Sequence, residues 1–174
     1  MLHLKKGDSV LCVADGEGRN SVWLAKQGMQ VDAFDVSEVA LSKAVALAKE
    51  EAVQVQFSLA SIDSWDWQPN QYDSVAGIFI QFADPVMRIR LFAQMASILK
   101  PGGVLIIQGY TPKQLEFKTG GPSILEHLYT EDMIRTLIGD LDPVDLCLYE
   151  KELSEGPKHT GMSALLGLVA RKLL

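Results

Sequence analysis

At 174 residues, 48% of them hydrophobic, the chain is long enough to bury one sizeable core and is expected to form a single domain over 1–174. Sixteen Lys and Arg against 22 Asp and Glu give a net charge of −6, and no basic run appears. That excludes the footprint of a general nucleic-acid binder and favours a small-molecule or protein substrate. No signal peptide is visible, and the apolar run 163–170 is too short to span a bilayer, so no membrane partner and a cytoplasmic location are expected.

Short apolar runs rich in Val, Ile and Phe alternate with segments of helical period, the pattern of a parallel sheet wrapped by helices. Strands are predicted near 9–14, 30–35, 54–58, 72–79 and 104–109. The first helix starts at about Gly18 and closes at Gly28, and the next runs from an N-cap at Ser37 to Glu51. Asp84 and Pro85 supply a cap and a first-position proline for a third helix. Val86, Ile89, Phe92, Ala96 and Leu99 mark its expected inner face, and Lys100-Pro101-Gly102-Gly103 its end. Thr130-Glu131-Asp132, a cap followed by acids, announces a last helix that ends near Gly139. The runs 144–153 and 163–172 read as strands joined by "SEGPKHTG" with no helix between them. The expected fold is therefore α/β, a Rossmann-like doubly wound sheet, mostly parallel and ending in an antiparallel hairpin. Cys12 and Cys147 share no metal-ligand spacing and are expected to be core thiols, with no metal site and no disulfide.

The stretch "VLCVADGEGRNSVWLA", residues 10–25, is a strand that turns through glycines into a helix. Such an elbow presents backbone N–H groups and bare backbone at the carboxyl edge of the sheet, where ligands of open α/β folds bind. Gly16 and Gly18 admit a ligand without a Cβ in its way. Asp35, at the end of the second strand, is placed to accept two hydrogen bonds from the cis hydroxyls of a ribose. The alternative for Asp35 is a cap on the helix behind it. Two acids, Asp15 and Glu17, stand in the elbow, and Ser21 holds the third glycine position of a dinucleotide fingerprint. An anionic pyrophosphate meets repulsion there and a cationic ligand attraction, which points to S-adenosylmethionine with Asp15 as partner of its ammonium. Arg19 is a candidate for the methionine carboxylate or for pairing with Glu17. Asn20 and Ser21 are candidates for the same carboxylate through the helix start.

These residues resemble the class I S-adenosylmethionine-dependent methyltransferases over essentially the whole chain. The resemblance rests on the glycine elbow, Asp35, "QYDSVAGIFIQF" as fourth strand, "LKPGGVLII" leading into the fifth, and the hairpin. Within the class, "GEGRNSVWLA" is similar to the tellurite-resistance and thiopurine methyltransferase-like bacterial branch. The resemblance implies a seven-stranded sheet, S-adenosylmethionine as cofactor and S-adenosylhomocysteine as product. It implies a cofactor site of Asp15, Gly16, Gly18, Arg19, Asn20, Asp35, Val36, Ser61, Ile62 and Phe79. Ser61 and the Ile62 N–H are assigned to adenine, with Asp63 as a rival polar contact. The chain departs from the family pattern at Cys12, where an acid is frequent, and at Ala14, where a glycine is frequent. Only residues 1–8 precede the first strand, so the usual helical segment there is expected to be lacking.

Methyl transfer from a sulfonium is an in-line displacement on an activated donor, so alignment is the main task. A base is required only for an acceptor that still carries its proton; thiolate, selenide or tellurium acceptors require none. Candidate acceptor-site residues are Phe79, Gln81, Tyr110, Glu116 and Thr119, with His159 from the hairpin loop. Packing roles compete at Phe79 and Tyr110. His3 and His127 are expected at the surface. Trp23 is expected to pack against the sheet, and Trp65 to have the better claim on the cofactor. The alternatives are a non-catalytic S-adenosylmethionine-binding module and, behind it, a nicotinamide-dependent oxidoreductase.

Overall fold

The computed structural model describes residues 3–154 and 160–174. It contains one seven-stranded sheet of order β3-β2-β1-β4-β5-β7-β6. The strands are β1 (Ser9–Val13), β2 (Gln30–Asp35), β3 (Gln56–Leu59), β4 (Tyr72–Ile78), β5 (Leu99–Tyr110), β6 (Asp142–Ser154) and β7 (Thr160–Arg171). The first five pair in parallel, while β7 runs antiparallel to both β5 and β6. The helices are α1 (Arg19–Lys26), α2 (Glu38–Glu50), α3 (Pro85–Ile98), the short α4 (Gln114–Phe117) and α5 (Glu131–Leu137). A single 3-10 turn covers Leu125–His127. No helix among the described residues is long and apolar enough to cross a membrane.

Central strand β1 is buried from Val10 to Val13 on both faces, which is why it reads as a continuous apolar run rather than an alternating one. Leu11 and Val13 join Phe34, Val75, Leu105 and Ile107 in the core layer closed by α3 and α5. Val10 and Cys12 face the opposite layer with Leu24, Met29 and Ala33. The caps form where the sequence places them. Ser37 Oγ accepts from Ala40 N–H at 3.2 Å, Asp84 Oδ1 from Met87 N–H at 2.9 Å, and Thr130 Oγ1 from Met133 N–H at 3.2 Å.

Three expectations change. The buried stripe of α3 is Arg88, Leu91, Phe92, Met95 and Ile98, whereas Val86 and Ile89 are exposed at 81% and 65%. This helix is apolar most of the way round, so its composition leaves the phase open and the tertiary contacts of Leu91 and Met95 set it. The fifth strand starts earlier than 104: Leu99 pairs with Tyr72 and opens β5, with a register irregularity before Ser74 absorbing the proline and glycines. Cys12 is buried as expected, but Cys147 is exposed on edge strand β6, where Pro143 is also tolerated because the strand has a partner on one side only.

Candidate active site

The carboxyl ends of β1, β2 and β4 converge on the elbow. Asp35 Oδ2 accepts from Gly16 N–H at 2.9 Å and Oδ1 accepts from Ser37 N–H at 2.8 Å. Two backbone amides thus fix the carboxylate and leave its remaining lone pairs for a diol. A Cβ built on Gly16, whose φ is +66, meets nothing within 4 Å, so open space lies over the elbow. Gly18 serves packing instead: its Cβ would stand 2.7 Å from Ala44 Cβ. Ala14 and Phe79, at the ends of β1 and β4, both hold left-handed backbone, φ 48 and φ 57. Non-glycine residues adopt this conformation rarely, and such strain gathers at functional sites.

Asp15 is half-buried behind the elbow, and its Oδ2 accepts from Ser21 Oγ at 2.5 Å. Burial pushes its carboxyl up to about 6; the Ser21 hydrogen bonds oppose that rise and the Asp35 charge adds to it. The Arg19 charge also opposes the rise, and the half-buried carboxylate suits a cationic ligand group. The same burial, with Asp15 adding to it, raises the Cys12 thiol well above its ordinary range and keeps it inert.

A cavity of about 300 Å³ opens beside Asp35, lined by Ala14, Val36, Ser61, Ile62, Asp63, Phe82 and Met87 among others. Its neighbour, of about 620 Å³, is walled by Phe79, Phe82, Tyr110, Gly121, Ile124 and His127 with Gln81. Phe82 belongs to both walls, so the two spaces meet at that side chain. The Phe79 and Tyr110 rings stack at 4.9 Å and 27°, and a Cβ on Gly121 would strike the Tyr110 ring at 2.7 Å. Gln81 is buried and clamps this wall. Its Nε2 donates to the carbonyls of Tyr110 and His127 at 2.9 and 2.8 Å, and its Oε1 accepts from Tyr110 N–H at 2.6 Å.

The structure gathers Asp35, Val36, Ser61, Ile62 and Asp63 around the smaller cavity, and Phe79, Gln81 and Tyr110 around the larger one. Ser61 Oγ is engaged with its own turn, accepting from Asp63 N–H and Ser64 N–H at 3.2 Å, and Asp63 pairs with Arg90 at 2.6 Å. Arg19 and Asn20 stand apart with Trp23, Ile78 and Gln108 in a further shallow depression. Glu17 pairs with Lys43 at 2.6 Å between exposed groups. Glu116 is exposed on α4, and Thr119 Oγ1 accepts from Gln114 and donates to the Met162 carbonyl, so neither lines the larger cavity. His159 lies outside the described residues.

Trp23 is 48% exposed, not packed away. Trp65 instead stacks on Phe34 at 4.7 Å in the core layer, with Trp67 edge-on to the same ring. Phe82, Met87, Ile124 and His127 were not foreseen as site residues. The signal for His127 was its place directly before Leu128 and Tyr129, which are fully buried and so draw the preceding residue inward. Among the described residues no group of His, Cys, Asp and Glu could hold a metal ion.

A mostly parallel seven-stranded α/β sheet ending in an antiparallel β5-β7-β6 arrangement is the architecture of class I methyltransferases. Residues 10–103, more than half of the chain, match the family model described as a methyltransferase domain. The chain belongs to that family, whose cofactor is S-adenosylmethionine. A ubiquinone biosynthesis O-methyltransferase of Xanthomonas campestris is 35% identical over 104 residues, 58% of this chain and 42% of that protein. The chain thus matches less than half the length of this curated relative. An S-adenosylmethionine-dependent methyltransferase of Methanosarcina mazei superposes with a TM-score of 0.82 at 19% identity, covering 99% of this chain and 96% of that one. TehB from Haemophilus influenzae gives 0.76 at 17% identity, covering 95% and 58%.

Proposed function

We propose that the chain transfers the methyl group of S-adenosylmethionine to a small-molecule acceptor held in the larger cavity. The carrying observation is Asp35, whose two oxygens are fixed by the Gly16 and Ser37 amides beside an open cavity of nucleoside size. The cofactor supplies an already activated methyl group on sulfur; the protein's residues supply position. Asp35 takes the ribose hydroxyls, and Val36, Ile62 and Met87 flank the adenine. The open space over Gly16 receives the methionine portion, with Asp15 against its ammonium. Phe79 and Phe82 then separate donor from acceptor. The net charge of −6 supports a small molecule over a nucleic acid, and the one sheet running from Ser9 to Arg171 supports reading 1–174 as one domain. A place in the tellurite-resistance and thiopurine-like branch rests on "GEGRNSVWLA".

The test is calorimetric titration with S-adenosylhomocysteine of the protein and of Asp35→Ala. Losing two hydrogen bonds to a carboxylate weakens binding by about 2–4 kcal/mol, a factor of roughly 30 to 1,000. Equal affinity for both proteins refutes the assignment of Asp35, and no binding by a folded parent protein refutes the cofactor site.

A further inference from the structure

The larger cavity holds one titratable ring whose protonation is dictated by its neighbour. His127 Nδ1 lies 2.8 Å from the main-chain carbonyl oxygen of Gln81. A carbonyl oxygen only accepts, so Nδ1 carries the hydrogen, and in the neutral ring Nε2 is left with a lone pair. The main chain that carries the ring is held at three points. His127 N–H donates to Ile124 O, and its own carbonyl accepts from buried Gln81, which also grips Tyr110. Arg88, buried on α3, donates to the adjacent Glu126 carbonyl at 2.8 Å and fixes the same turn from behind. Such a ring, with Nδ1 bound and Nε2 unprotonated in a residue that lines a cavity, is arranged as a general base.

The rest of the lining selects what it acts on. The walls are the stacked Phe79 and Tyr110 rings, Phe82, Pro122 and Ile124. Neither a carboxylate nor a Lys or Arg side chain lines this cavity among the described residues. A cationic amine or an anionic acid would be left without a counter-charge there. A flat neutral molecule fits, provided its one polar hydrogen faces His127.

We propose that His127 is the general base for an aromatic hydroxyl acceptor in this cavity, with Gln81 as the residue that sets its tautomer. This rests on the methyl-transfer reading above. The acceptor O–H bond breaks as its proton passes to Nε2. The freed oxygen pair forms the bond to the methyl carbon while the electrons of the S–CH3 bond return to sulfur. The imidazolium then releases its proton to water, leaving an aryl methyl ether and S-adenosylhomocysteine. A thiolate acceptor would make this base superfluous, so the arrangement separates hydroxyl from thiol chemistry.

The experiment has three readings. Nitrogen NMR of the intact protein, with His127→Gln for assignment, should show neutral His127 protonated at Nδ1; the opposite tautomer overturns the proposal without any need of activity. With the S-adenosylhomocysteine titration establishing cofactor binding independently, turnover is then compared for para-cresol and catechol, un-ionised at neutral pH, and for pentafluorophenol and thiophenol, largely ionised. His127→Gln should lower methylation of the first pair by roughly 100-fold or more and of the second far less. Equal losses across all four assign His127 to packing and overturn the proposal. So does a protein that binds cofactor yet methylates only the thiol, or none of the four. Failure to bind S-adenosylhomocysteine, by contrast, sinks the underlying methyl-transfer reading.

Discussion

The carboxyl of Asp15 links fold stability, pH and cofactor affinity with opposite signs. Burial raises its folded value from 3.8 to about 6, so the native protein holds this proton more tightly than the unfolded chain. Its contribution to stability is therefore complete below about pH 4 and is lost as pH rises through 6; at about 1.4 kcal/mol per unit, the loss is on the order of 3 kcal/mol. The ligand's ammonium needs the opposite form. With a free value of about 6 and the ammonium holding the bound carboxyl ionised, S-adenosylhomocysteine should bind up to roughly tenfold more weakly at pH 5 than at pH 7.5, about 1.4 kcal/mol. Asp15→Asn removes both effects. Urea melts of the unliganded variant should show higher stability at pH 7.5 than the parent, and calorimetry should show weaker binding that no longer follows pH between 5 and 7.5. Every other titratable group is common to both proteins, so the difference between them isolates Asp15. A variant with the parent's pH slope refutes the ammonium contact.

Other perturbations test the packing that carries the site. Gly18→Ala drives a Cβ to 2.7 Å from Ala44 Cβ and 2.9 Å from its Cα at φ +86, and should cost about 2 kcal/mol or more in urea denaturation. Leu91→Ala, at a fully buried position of α3, should cost about 2–5 kcal/mol, whereas Ile89→Ala on its exposed face should stay within about 0.5; reversed values would put the helix phase in error. Gln81→Leu strips partners from Tyr110 N–H and from the carbonyls of Tyr110 and His127, and should lower stability by about 3 kcal/mol. Phe82→Ala, at a 52% exposed residue shared by both cavities, should leave the melt within about 1 kcal/mol while reducing turnover at saturating cofactor.

The parts of this molecule legible in its sequence are those fixed by local chemistry. Caps at Ser37, Asp84 and Thr130 are local hydrogen bonds, and the strand carrying Val10 to Val13 announces its two-sided burial by having no polar face. Asp35 was readable because its distance from the elbow follows from one strand–helix–strand unit. What was not readable depends on contacts between distant segments. The phase of α3 is decided by where Leu91 and Met95 meet the sheet, and Trp65 is drawn from the cofactor to Phe34 by a neighbour 31 positions away in the chain. The same reason hid His127. Nothing around "EHLYT" marks a ligand site until β5 and the turn after β4 bring Gln81 beneath it, so that one buried amide fixes Tyr110, the backbone of His127 and, through its own carbonyl, the ring's tautomer. The elbow is thus written in sixteen consecutive residues, while the larger cavity is written in the tertiary fold, and chains sharing the first are free to differ in the second.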